Sequence, residues 1–223
     1  MHLLLAKVAD KITIVTTNYD NLLEQAFAEA GKPYDLVVYP ADNAEYANGV
    51  LWWPHGQPEP RKMKSSDIDV EDLRQTNVIY KMHGTVWKDS PVWDSFVITE
   101  EDYVRFLSRI KNAVPAAFRR HFSARSFLFL GYGLRDWNLR VLLRTLVQSA
   151  DRSSQKLSVS VQLEPDDKMV EAVGKDAAIR YLEKYFEGLN IRVYWGRLDD
   201  FLIELRRRWD ESRMAAGGPS GNP

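Results

Sequence analysis

Apolar residues recur along this chain at two spacings, and the alternation between them predicts a fold class. Short runs dense in β-branched and aromatic residues predict strands over 12–17, 36–39, 78–82, 126–130, 157–163 and 191–195. Between them, apolar residues fall three and four apart, the mark of helices with one buried face. Leu22, Leu23, Ala26 and Phe27 define a helix over 20–30, which Gly31 ends. Tyr103, Phe106, Leu107 and Ile110 define another, with Thr99 as its N-cap and Glu100, Glu101 and Asp102 at the positive end of its dipole. A helix beginning at Pro115 carries Phe118 and Phe122, and further helices are predicted over 135–149, 166–187 and 199–213. Residues 126–130 read as the most deeply buried strand. Strands alternating with helices imply an α/β fold, with a mostly parallel sheet covered on both faces.

Residues 41–76 interrupt the pattern. They carry Asn, Gly, Pro and charge with little periodicity, and an excursion of this length inside a compact domain is usually functional or disordered. Trp52-Trp53-Pro54-His55-Gly56 makes it too aromatic for a flexible linker. A hairpin-like stretch around Lys88-Asp89-Ser90 follows, with Trp87, Trp93 and Phe96, so that 41–98 reads as insert-like. No composition shift marks a linker. The expectation is one domain over 1–214, with 215–223 a disordered tail by composition.

The 223 residues are enough for a sizeable core, and 45% hydrophobic content suits a globular chain rather than a disordered one. A formal net charge of −1 gives no global attraction to nucleic acid or to an anionic membrane. Arginines 119, 120, 125, 140 and 144 fall near a glycine motif, whereas Arg206, Arg207 and Arg208 read as a solvated helix face. The absence of cysteine rules out disulfides, Cys-ligated zinc and a thiol nucleophile, and fits a cytoplasmic protein. No run approaches the roughly 20 apolar residues of a membrane span. No His, Asp and Glu cluster has metal-ligand spacing, and His55 and His121 read as structural or exposed.

Candidate chemistry sits at strand ends. Thr16-Thr17-Asn18-Tyr19-Asp20 closes the first strand and Lys81-Met82-His83-Gly84 closes the third. Polar side chains at a strand-to-helix junction lie at the carboxyl edge of the sheet, where open α/β folds bind ligands. His83 brings the side chain that titrates nearest neutral pH. Gly131-Tyr132-Gly133 follows the 126–130 strand and precedes a helix start, with Asp136 placed to cap it; glycine there admits close backbone approach to phosphate or ribose. Each cluster also has a plain structural reading. Asn18 and Asp20 are good helix caps, His83 fits a strand-end turn supplied by Gly84, and Gly131 and Gly133 fit a simple turn.

Taken in order, the three clusters resemble the motifs of the SIR2-like family of NAD-consuming enzymes, relatives of sirtuins found in bacterial defence proteins. TTNYD resembles that family's Asn/Asp strand-end motif, KMHG its histidine motif, and FLFLGYGLRDWN its glycine-containing strand with an Asp-Trp-Asn helix start; the resemblance covers roughly residues 10–205. It implies a Rossmann-like three-layer sandwich that takes NAD as substrate. Nicotinamide leaves the ribose as a neutral pyridine, so such a site must stabilise an oxocarbenium-like ribose and position a nucleophile. By the resemblance, Asn18 positions water or ribose and His83 is the general base. Asp20 contacts the carboxamide or supports the site, and Thr17, Gly131, Gly133 and Asp136 contact the dinucleotide.

Two departures bear on the activity. The strand and GAGxS-type glycine-rich loop with which such domains normally begin are absent, so the resemblance implies an N-terminally truncated form. The four-cysteine zinc ribbon of sirtuin deacylases is also missing, which turns the expectation from deacylation to NAD hydrolysis and away from zinc. The leading expectation is an NAD glycohydrolase of anti-phage defence, yielding nicotinamide and ADP-ribose and acting with further copies or a sensor protein. The alternative is a non-catalytic module that binds NAD or ADP-ribose, and a protein deacylase ranks below both.

Overall fold

The first strand forms where the β-branched run predicts it. In a computed structural model describing residues 1–7, 11–40, 49–64, 66–69, 72–86, 94–109, 114–123, 125–131, 156–165 and 167–215, β1 covers Thr13–Thr16. The chain divides into two units, residues 2–122 and, together with Met1, residues 123–223. Each is described by itself.

In the first unit, α1 (His2–Ala6) and β1 lead to α2 (Leu22–Glu29), β2 (Tyr34–Val38), β3 (Gly49–Trp53), β4 (Arg61–Lys64), α3 (Asp72–Gln75) and β5 (Asn77–Lys81). A short pair, β6 (Gly84–Thr85) and β7 (Ser95–Phe96), precedes α4 (Glu100–Ser108) and α5 (Ala116–Ser123). Five strands pair in the order β1-β5-β2-β3-β4; β1, β5 and β2 run parallel, and β3 and β4 add antiparallel. The excursion therefore differs from its sequence reading as an aperiodic loop, because its described residues include two strands that widen the sheet. All five residues of β3 are buried. A strand covered on both faces shows no alternation, which is why the period-2 signal fails there.

Helices cover both faces of this sheet. On one, Leu23, Ala26 and Phe27 of α2 and Ala6 of α1 pack against Leu36, Val38, Leu51, Trp53 and Ile79. On the other, Phe118 of α5 lies 4.7 Å, ring to ring, from Tyr80, and Phe106 of α4 lies 6.0 Å from Tyr39. Alternate residues of β5 thus serve opposite layers, as strand geometry requires. Asn77 ties the sheet together at its amino edge: its Oδ1 accepts the Ile12 N–H at 3.2 Å and its Nδ2 donates to the Pro33 carbonyl at 2.7 Å. The predicted cap of α4 is present as a reciprocal box. Asp102 N–H donates to Thr99 Oγ1 at 3.1 Å, and Thr99 N–H donates to Asp102 Oδ2 at 3.0 Å.

In the second unit, β8 (Leu128–Phe129), β9 (Ser158–Gln162) and β10 (Ile191–Trp195) pair in the parallel order β10-β9-β8. The strand expected over 126–130 shortens to two residues, and of Phe127, Leu128 and Phe129 only Phe129 is buried. An edge position with one described neighbour accounts for the shortfall. The helix predicted over 166–187 is two, α6 (Asp167–Val173) and α7 (Lys175–Glu187), divided at Gly174 with φ +80°. A backbone there outside the helical region breaks a pattern that side-chain periodicity carries straight through. Phe186 of α7 packs with Phe129 and Ile191, while Phe201 of α8 (Leu198–Ala215) meets Tyr194 at 5.0 Å. Ile191 and Tyr194 lie on opposite sides of β10, so α7 and α8 cover opposite faces. The α/β class read from the alternation of elements holds in both units. Among the described residues no helix is long and apolar enough to cross a membrane.

Candidate functional site

The two polar clusters leave neighbouring parallel strands at the same level. In the β1–β5 register Thr16 stands opposite Lys81, so Asn18 and His83 each lie two positions past a paired couple at the carboxyl edge. Backbone bonds continue beyond the sheet and keep the two segments side by side. Met82 N–H donates to Thr16 O at 3.0 Å, and Val86 N–H donates to Tyr19 O at 3.2 Å. Asn18 is exposed, with its N–H on Thr16 Oγ1 at 3.1 Å. Thr17 is half-buried. Asp20 is exposed, and its Oδ1 accepts the Leu22 N–H at 3.1 Å, so the carboxylate does the helix-start work that its plain reading proposed. Asn21 occupies the N-cap position itself without a capping side-chain bond.

His83 is only 8% exposed. Its ring meets Phe106 edge-on at 4.9 Å and Tyr103 at 6.0 Å, both contributed by α4. The turn that carries it needs glycine next door: Gly84 has φ +93°, and a Cβ there would lie 1.9 Å from the Ser95 carbonyl oxygen. The facing segment is anchored through Tyr19. Its hydroxyl donates to the Val97 carbonyl and its ring stands edge-on to Phe96 at 5.5 Å. Burial pushes this phenol above its ordinary value, with the Val97 bond acting in the opposite direction.

Sequence reasoning left Lys81 unassigned, although it stands within the KMHG motif. Its side chain is wholly buried. The ammonium meets Glu24 Oε1 at 2.7 Å, Asp20 O at 2.6 Å, Thr85 Oγ1 at 2.9 Å and Tyr19 O at 3.2 Å. The available signal was a lysine ending a strand that is otherwise buried. Glu24 and Thr85 also line a cavity of about 240 Å³ with Asn21, Tyr34, Trp53 and His55. Neither Asn18 nor His83 is among the residues that line it.

Gly131 belongs to the second unit, where it is exposed with φ +72° directly after β8 and Leu130. Gly133 and Asp136 lie outside the described residues, as do Arg140 and Arg144. Arg119 donates to the Val114 carbonyl. Arg206, Arg207 and Arg208 pair along α8 with Asp210, Glu204 and Glu211, as a solvated face would. His121 is buried, its Nε2 3.2 Å from Thr13 Oγ1, and His55 is exposed with its N–H on Asp35 Oδ1 at 2.9 Å. Among the described residues no group of three or more His, Asp and Glu is placed to hold a metal ion.

An amide and an imidazole carried on adjacent strand ends are side chains that can orient a hydroxylic nucleophile and accept its proton. Known proteins similar in sequence bear on the chemistry. Residues 12–194 match the family model of the SIR2-like domain. The chain is 25% identical to Defense-associated sirtuin 2 of Bacillus subtilis over 133 residues, 58% of this chain and 10% of that protein. It is 28% identical to the NAD(+) hydrolase ThsA of Acinetobacter baumannii over 142 residues, 64% of this chain and 23% of that protein. The ThsA of Cytobacillus dafuensis is 25% identical over 131 residues, 59% of this chain and 20% of that protein. The chain thus matches about a tenth to a quarter of these relatives' own lengths. The family match runs from just before β1 into β10 and takes in both motif-bearing strand ends, and on that extent the chain belongs to the SIR2-like domain family.

Proposed function

We propose that this chain is an NAD glycohydrolase domain, cleaving NAD to nicotinamide and ADP-ribose in a bacterial defence protein. The observation that carries the reading is the placement of Asn18 and His83, each two positions past the Thr16–Lys81 pair on adjacent parallel strands. Relatives named as NAD(+) hydrolases and as a defence-associated sirtuin support the substrate and the setting. In the proposed step the bond between ribose C1′ and the nicotinamide ring nitrogen breaks, and its electron pair leaves with nicotinamide. A water held by Asn18 forms the new C1′–O bond, and His83 accepts the proton that this water sheds. Asp20, already committed to the Leu22 amide, supports the segment or meets the carboxamide. Thr17, Gly131, Gly133 and Asp136 are proposed dinucleotide contacts.

The test is release of nicotinamide from NAD by the purified chain and by Asn18→Ala and His83→Ala. The expected result is turnover in the parent and a loss of at least about 100-fold in each variant, the scale of a positioned acid–base group. Binding of NAD without turnover, unchanged by His83→Ala, would replace the hydrolase with a binding module. Nicotinamide release only upon addition of an acylated peptide would replace it with a deacylase.

A further inference from the structure

Resting on that reading, we infer that Lys81 is a positioning residue, with Glu24 as its counter-ion, and that it sets the backbone on which Asn18 is presented. An ammonium has three N–H donors. Here three short contacts go to the Asp20 carbonyl at 2.6 Å, Glu24 Oε1 at 2.7 Å and Thr85 Oγ1 at 2.9 Å, and a longer one to the Tyr19 carbonyl at 3.2 Å. Two of the four acceptors are consecutive main-chain carbonyls in the segment that follows Asn18. Their orientation fixes the peptide planes of 19–20 and 20–21, and with them the exit path of the chain from β1.

The other two acceptors tie this segment to separate elements, Glu24 on α2 and Thr85 on β6. Lys81 itself ends β5, two residues before His83. One buried cation therefore references the Asn18 segment to the strand that carries His83. A lysine with no exposed side-chain surface is costly to place. It carries no apolar packing that methionine could not provide, and its distinctive contribution is to hold main-chain carbonyls. Glu24 is 12% exposed and supplies the compensating charge.

The test separates positioning from mere stabilisation. The double variant Lys81→Met/Glu24→Met replaces the ion pair by apolar groups of similar size, a change that buried pairs often tolerate. The expected result is a folded protein with kcat for nicotinamide release down about 100-fold and KM within about threefold of the parent. Amide hydrogen exchange should also quicken by about tenfold at residues 17–22 and at Val86, whose N–H rests on Tyr19 O, and not in β2 or β3. A folded double variant with parental kcat and parental exchange at 17–22 overturns the inference. Should the parent itself release no nicotinamide, the hydrolase reading fails. The exchange measurement then decides alone: faster exchange confined to 17–22 and Val86 upholds positioning, and unchanged exchange overturns it.

Discussion

Two charge clusters in this molecule look alike by distance and differ in what they hold. On α8, Arg206, Arg207 and Arg208 pair with Asp210, Glu204 and Glu211 at 2.5 to 2.9 Å, with every side chain at least 38% exposed. At the end of β5, Lys81 meets Glu24 at 2.7 Å, the lysine side chain wholly buried and the glutamate 12% exposed. The helix network joins side chains three and four residues apart, which the helix itself already brings together. The strand-end cluster joins β5 to α2, to β6 and to two carbonyls in the loop after Asn18. Water can replace the partners of the first cluster, while the second holds a fully buried ammonium and orders main chain that no regular element orders. Bond length does not distinguish the two; burial and the nature of the acceptor do.

The comparison breaks most visibly if Lys81→Met alone is harmless. That variant leaves the largely buried Glu24 carboxylate without its cation, and the expected cost is up to about 3–5 kcal/mol in urea or thermal unfolding. The double variant should recover much of this loss. A single variant as stable as the parent would place Lys81 in the same class as the α8 arginines.

A pH titration sharpens the same contrast with a smaller effect. Desolvation at the core of the first unit pushes the Tyr80 phenol well above its ordinary 10.0, and burial also raises Tyr39 beside it. Both folded values exceed the unfolded one, so the stability that these neutral phenols contribute is fully present below pH 10. It is lost as pH climbs from there toward the folded values. The expected slope is up to about 1.4 kcal/mol per pH unit for each phenol held neutral, measured as unfolding free energy between pH 9 and about 11. Tyr80→Phe should flatten that slope, and an unchanged slope would show that another group governs alkaline unfolding.

The smallest effect is expected on α8. Hydrogen bonds from Arg207 and Arg208 hold the Glu204 carboxyl down at about 2, against an ordinary 4.5. A depressed folded value contributes stability above the unfolded one, and that contribution fades as pH falls from 4.5 toward 2. Solvent screening at this exposed site keeps it slight. Glu204→Ala should leave the thermal midpoint at pH 7 within about 2 °C of the parent. A larger shift would mean that the helix network carries load comparable to the buried pair.

What the sequence revealed follows the same division between local and assembled features. TTNYD and KMHG were legible because each is a continuous polar cluster ending an apolar run, and such runs become strands without outside help. The Thr99 cap was legible because its box is closed within four residues. Lys81 was not, since its partners at 19, 20, 24 and 85 converge only after β1, β5 and α2 have packed. The strand at 49–53 was hidden by its own burial on both faces, and the break at Gly174 by a helical pattern that glycine does not interrupt on paper. The paired length of β8 depends on its neighbours rather than on the apolarity of residues 126–130.

The Gly84 contact has a consequence for variation as well as for energy. Any side chain at that position meets the Ser95 carbonyl while also facing an unfavourable backbone angle, so position 84 is closed to every amino acid but glycine. In a library randomised there and sorted only for folded protein, glycine should be the sole survivor. Tolerance at 84 would then register an opened β6–β7 pair without any reference to catalysis, an address in the chain where the spelling reports the shape.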